Sequence, residues 1–184
     1  IQIDVNSLRE NQNAFIAIDT LDFDIYKAYD FVLNNAKKND TLFADMKFNG
    51  GTDATDKYFV NLYHTINEDN KSVLGIEKSE IQFKESLWYL NELSNAKNRI
   101  IFNKEINDFV IEDIQLSHNN QMVLLNGSMH GNAYKDLNLT FENVELEKIT
   151  PDLQNLTFAG LINGTVSFIQ ENNIFKPKSK LNVE

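Results

Sequence analysis

Apolar and polar side chains alternate along most of this chain in long stretches separated by asparagine-rich breaks, and a period of two commits the backbone to strands. LFADMKFNG carries Leu42, Ala44, Met46 and Phe48 on one side. KYFVNLYHTI sets Tyr58, Val60, Leu62 and His64 opposite Phe59, Asn61, Tyr63 and Thr65. IQIDV, AFIAIDTLDFDI and SEIQFKESLWYL, the last with Ile81 and Phe83, also read as strands. In VIEDIQLSHNNQMVLLNG, Val110, Ile114 and Leu116 alternate with polar neighbours, Asn119-Asn120 marks a turn, and Met122 to Leu125 opens the next strand. KDLNLTFENVELEKI carries Leu137, Leu139 and Phe141 on one face, then Val144 and Leu146 after a change of phase, so a bulge or bend is expected near Asn143. LTFAGLINGTVSFI continues with Leu156, Phe158, Ile162, Val166 and Phe168, interrupted by Gly160 and Gly164. The final FKPKSKLNVE puts Phe175, Leu181 and Val183 on one side.

One segment breaks the period. In DIYKAYDFVLNNAKK, Ile25, Ala28, Tyr29, Val32, Leu33 and Ala36 recur at three and four residues, which predicts a short helix over about 24–38 with Asp24 as N-cap and Lys37 and Lys38 near its end. Such a helix would cover the end of a sheet. Asn34-Asn35 and Asn172-Asn173 are expected turns, like Asn119-Asn120. Two prolines and seven glycines leave no linker, so residues 1–184 are read as a single β-rich unit. Because LNVE reads as an alternating strand cut short, that unit is expected to be a piece of a longer protein.

Charge and composition narrow the chemistry. A net charge of -10 leaves no continuous basic footprint, which argues against nucleic acid or an anionic membrane surface as a partner. The absence of cysteine excludes disulfides and thiolate chemistry, and no apolar run approaches the roughly 20 residues of a membrane-spanning helix. His64, His118 and His130 lack the spacing of a zinc pair, and the G-x-S-x-G frame of a nucleophile elbow is missing. Asp22 with Asp24, or Glu112 with Asp113, would be candidate paired acids, but adjacent acids on a strand point to opposite faces. The loops DNKSVLG and GGTDATDK lack the calcium-loop ligand spacing, and Gly50-Gly51 reads as a turn. No catalytic residue, metal or cofactor is assigned. Trp88 is either a core anchor or part of a ligand-bearing surface.

What remains is a collective feature. Each long strand has one face of Phe, Leu, Ile and Val and one of Asn, Asp, Glu, Lys and Thr. Packed on a second sheet, the apolar faces would form a sandwich core, as in a secreted or surface module for adhesion or carbohydrate binding. A single sheet curled around its apolar face without closing would instead form an elongated open groove able to hold an acyl chain.

Several segments favour the second alternative by resemblance. DFVIEDIQLSHNNQMVLLNGSMHG and YKDLNLTFENVELEKITPDLQNLTFAGLINGTVSFIQENNIFKPKSKLNVE resemble the conserved C-terminal region of the TamB family (translocation and assembly module subunit, AsmA-like superfamily). The features are the LLNG turn at Leu124 to Gly127, Leu137 and Leu139 leading into FENVELEKI, the G-x-x-x-G step at Gly160 and Gly164, and a final strand after Pro177. WYLNELSNAKNRIIFNKEINDFVIEDIQLSH resembles a repeat unit of the same family. The match is clearer over 76–184 than over the first 75 or so residues.

The resemblance implies a curved, taco-like β-sheet with an apolar groove. It also implies the periplasmic part of a bacterial envelope protein anchored in the inner membrane. The implied role is non-enzymatic: phospholipid transport between membranes and outer-membrane biogenesis or protein secretion, with an Omp85-type outer-membrane barrel as partner. Carried onto this chain, the groove lining falls to Val110, Ile114, Leu116, Leu137, Leu139, Phe141, Leu156, Phe158, Ile162 and Phe168, with Gly160 and Gly164 relieving crowding where the sheet bends.

Overall fold

A computed structural model of the chain describes residues 1–8, 11–23, 26–51, 53–93, 97–150, 158–172 and 174–184, and the side chains of all of these except 5–8 and 11–12. Among them are fourteen strands in one sheet and one short helix. In chain order they are β1 Gln2–Leu8, β2 Asn11–Asp22, β3 Lys27–Lys38, β4 Thr41–Gly50, β5 Asp56–Ile66, β6 Ser72–Ile76, β7 Ser79–Phe83, β8 Ser86–Leu90, β9 Arg99–Phe102, β10 Asp108–His118, β11 Gln121–His130, β12 Tyr134–Glu145, α1 Leu146–Ile149, β13 Leu161–Glu171 and β14 Ile174–Val183. Every pairing is antiparallel, and the sheet is an open curved meander with β1 and β14 at its edges. Asparagines set several of the reversals: Asn39, Asn119 and Asn172 all have a left-handed backbone near φ 50–53°, which short amide side chains tolerate.

The meander forks at its centre. The second half of β5 pairs with β6 and the first half with β7, while β10 pairs with β9 through its first half and with β8 through its second. Two short strand pairs, β6 with β9 and β7 with β8, therefore fill the gap between two long strands. A fork leaves backbone groups without ladder partners, and buried side chains supply them. Asn98, fully buried, accepts from the Gln115 backbone N–H at 2.9 Å and donates to Asn91 Oδ1 at 3.1 Å. Asn91 in turn donates to the Ile76 carbonyl at 2.7 Å. Ser79, also fully buried, accepts from the Asn61 N–H at 2.9 Å and donates to the Glu77 carbonyl at 2.8 Å.

The predicted helix is not there. Lys27–Lys38 is strand β3, paired with β2 and β4, and Asn34 and Asn35 lie inside it, not at a turn. Asp24 and Ile25, its proposed cap and first apolar residue, lie outside the described residues. The helical spacing has a different origin. Asp30 has a left-handed φ of 51°, and the β3–β4 register shifts between Tyr29 and Val32. One extra residue in a period of two places positions three apart on the same side, which imitates a helical face.

The same device recurs twice. Asp113 has φ 47° where the β10–β11 register shifts between Ile111 and Ile114, and Asn143 has φ 50° where β12–β13 shifts between Phe141 and Val144. The second is the bulge expected near Asn143. Each bulge is clipped by an asparagine of the following strand: Asn49 donates to Asp30 at 3.2 Å, Asn126 donates to Asp113 at 3.2 Å, and Asn163 accepts from the Asn143 N–H at 2.8 Å. Lys97 also bonds the Asp113 carboxyl and holds it below the ordinary carboxylate range.

The fork predicts one mutational outcome. Asn98→Ala strands the Gln115 N–H and an Asn91 amide oxygen inside the sheet, so it should cost about 2–4 kcal/mol. The urea unfolding midpoint measures it, and a shift within error of zero would show that the fork does not depend on that side chain.

Candidate functional site

Residues paired across strands share a face, and neighbours along a strand take opposite faces, so the register assigns every side chain to a side. One side is apolar from end to end. It begins with Ile3 and Ile16 and runs through Leu33, Met46, Val60, Leu62 and Leu74. It continues through Ile100, Ile111, Leu125, Leu137 and Phe168 to Pro177. Most of these are half-buried, and no second sheet among the described residues covers them. The chain exposes 12111 Å², against about 9,000 Å² for a compact monomer of its mass. The excess is what an uncovered sheet face gives.

At one end the trough is closed. Trp88 and Val144, both under 2% exposed, form one cluster with Ile162. Ile81, Phe83, Leu116, Val123 and Phe141 pack around them, and α1 adds Leu146 and Ile149. Trp88 on β8 and Val144 on β12 are separated by β10 and β11, about 14 Å on a flat sheet, so joining them requires the sheet to curl toward its apolar side. Gly164 serves that bend. It lies opposite Phe141, just before the Asn143 bulge, has φ 125°, and a Cβ there would fall 2.0 Å from the Lys180 carbonyl oxygen. Gly160 likewise has φ 112° and leaves no room for a Cβ beside the Glu184 carbonyl.

Of the predicted lining residues, Ile114, Leu116, Leu137, Leu139, Phe141, Ile162 and Phe168 share the apolar side. Val110 does not. It pairs with Ile101 and Ser128 on the opposite side, because the Asp113 bulge reverses the phase between it and Ile114. Phe109 and Ile111 take its place, and the spacing of Ile111 to Ile114 was the signal that would have found them. Phe158 is exposed and belongs to no strand, and Leu156 lies outside the described residues. The apolar side also reaches well beyond the predicted set, through β4, β5, β6 and β9.

The polar side carries charged groups, several of them in pairs. Arg99 binds Glu112 at 2.5 Å, Lys27 binds Asp22 at 3.2 Å, and His130 lies 3.6 Å from Asp108. A depression of about 490 Å³ on this side is lined by Val32, Lys47, Phe59, Glu80, Gln82 and Leu87, with the Lys47 ammonium 4.8 Å above the Phe59 ring. Two cations, Lys47 and Lys57, and two acids, Asp30 and Glu80, line it, so it presents no convergent set of one charge. His64 stands between Leu42 and Leu74 on the apolar side, and the His118 ring lies 5.2 Å from Trp88 with Nδ1 2.7 Å from the Leu87 carbonyl. Among the described residues no three His, Asp or Glu side chains converge as metal ligands. Near the closed end, the Tyr26 hydroxyl donates to Tyr58 at 2.7 Å beside the buried Asp56. Burial first, then the bond to Tyr58, raises the Tyr26 pKa well above the usual phenol range.

No protein-family model, no curated protein and no solved structure matches this chain.

Trp88 fills the closed end, so Trp88→Ala should cost about 3–5 kcal/mol. Thermal unfolding followed in the far ultraviolet reads the loss; a melting temperature unchanged from the parent would mean that the end is held by α1 and the strands alone.

Proposed function

We propose that this chain is a non-enzymatic hydrophobic-groove segment that holds acyl chains of phospholipid. We place it in the periplasmic part of an inner-membrane-anchored envelope protein serving phospholipid transport and outer-membrane biogenesis or protein secretion. The observation that carries the binding part is the uncovered apolar face, continuous from Ile3 to Pro177 and half-accessible along its length. Burying a methylene there gains roughly 0.8 kcal/mol by transfer alone, so an acyl chain accumulates affinity with length and needs no polar pocket. A lining of Leu, Ile, Val, Met and Phe offers many similar positions, which suits a ligand that moves along it. The envelope setting and an Omp85-type barrel partner are proposed from the residues that resemble the TamB family, the LLNG turn and the Gly160 and Gly164 step among them.

An adhesion or carbohydrate-binding sandwich is the competing function. It has less support, since a sandwich buries this face under a second sheet, and the described strands all belong to one.

Trp88 is the only tryptophan, so its fluorescence reports occupancy of the trough. Phospholipid or fatty acid carrying bromine on the acyl chain should quench it, and Ile111→Asp should weaken the apparent affinity about tenfold or more. Val110→Asp, one residue away on the opposite side, should leave it near the parent value. Urea unfolding of both variants separates binding from folding. Absence of quenching in the parent protein, or equal loss in both variants, would exclude the trough as the lipid site.

A further inference from the structure

β14 is an edge strand with two contrasting faces. Lys176, Lys178 and Lys180 alternate along its polar side, opposite Ile169, Ser167 and Thr165 of β13, so no acid stands directly across from them. Lys176 reaches Glu171 at 4.0 Å, near the start of the strand. The net charge of -10 argues against an anionic surface as partner for the chain as a whole, and this row of three lysines is a local exception to that balance. The other side presents Phe175, Leu181 and Val183, all exposed, and the Phe175 ring stacks on exposed Phe168 with centroids 6.3 Å apart.

The backbone of β14 shows what this edge is not built to receive. Leu161 and Glu184 exchange both of their backbone hydrogen bonds, at 3.0 and 3.1 Å. Antiparallel pairs alternate between bonded and non-bonded positions, so even-numbered residues of β14 turn their N–H and C=O toward β13 and odd-numbered residues turn theirs outward. Pro177 falls on the outward row. It removes a donor from the free edge and costs the ladder nothing. Proline and lysine on an edge both disfavour the addition of another strand.

An edge closed to strands, cationic on one side and aromatic on the other, fits a layer of anionic groups above hydrocarbon. We propose that the β14 rim docks the sheet on an anionic phospholipid bilayer. Lys176, Lys178 and Lys180 meet lipid phosphates while Phe168 and Phe175 enter the acyl boundary, and the trough opens beside them. This deepens the groove reading by naming the source from which lipid enters, and it is tested separately from it.

The experiment is co-sedimentation of the full chain with phosphatidylcholine vesicles, alone and with added phosphatidylglycerol. Binding is expected only with phosphatidylglycerol, weakening as salt rises. The triple variant K176E/K178E/K180E should lose about a hundredfold in apparent affinity, at roughly a factor of five per lysine, and Phe175→Ser should also weaken it. Both changes lie on an exposed edge, and an unchanged urea midpoint establishes that the variants fold. Absence of binding by the parent chain, binding equal in the triple variant, or binding to poly-glutamate in preference to vesicles would overturn the proposal. Brominated fatty acid added from solution, with no vesicles, should still quench Trp88 in the triple variant, because its lysines point away from the trough. Loss of quenching in the parent with vesicle binding intact would overturn the groove and leave the rim.

Discussion

With no second layer on its apolar face, this sheet depends on the hydrogen-bonded ladder between neighbouring strands. A sandwich strand is held by its sheet and by the sheet opposite; here each strand is held by its neighbours in the one sheet, one at an edge, two along the meander and three for β5 and β10 at the fork. Side-chain packing is correspondingly lateral, as in the stack of Phe48 on Tyr58 at 4.3 Å or Phe102 on Phe109 at 5.9 Å. Most apolar residues stop at half-burial, and full burial is reached at Trp88 and Val144, where β8 and β12 contribute to one cluster. The open trough and the modest core are two results of one arrangement.

A ladder of this length needs places to bend, and asparagine and aspartate provide them. Asp30, Asp113 and Asn143 each adopt a left-handed backbone inside a strand, and each is clipped by an asparagine on the following strand. The abundance of asparagine thus has three uses: reversing the chain, bulging the strands and filling the fork. A short amide suits all three because it tolerates positive φ and can replace a missing backbone partner.

These uses also decide what could be read from the sequence. The β class, the hairpin at Asn119-Asn120 and the shared face of Leu137, Leu139 and Phe141 follow from alternation alone, and the structure has them. The bulge at Asn143 was legible because unbroken alternation flanks it. The bulge at Asp30 was not, since Ala28, Tyr29, Val32 and Leu33 match a helical stripe equally well, and only pairing to β2 and β4 distinguishes the two. At Asp113 the reverse error occurred: Val110, Ile114 and Leu116 fit one uninterrupted phase, which concealed the exchange of Val110 for Ile111. The fork was invisible for a further reason. It joins Asn61, Ser79, Asn91, Asn98 and Gln115, which no local period connects.

That fork has a mechanical consequence. Strands β1 to β5 and β10 to β14 are two broad meanders, and every path between them crosses strands only four or five residues long. Short strands contribute few ladder bonds, so force applied across the sheet or a thermal fluctuation should part the structure along this seam first. The protein is therefore built as two broad panels joined by a narrow, compliant gusset that a handful of amide contacts brace.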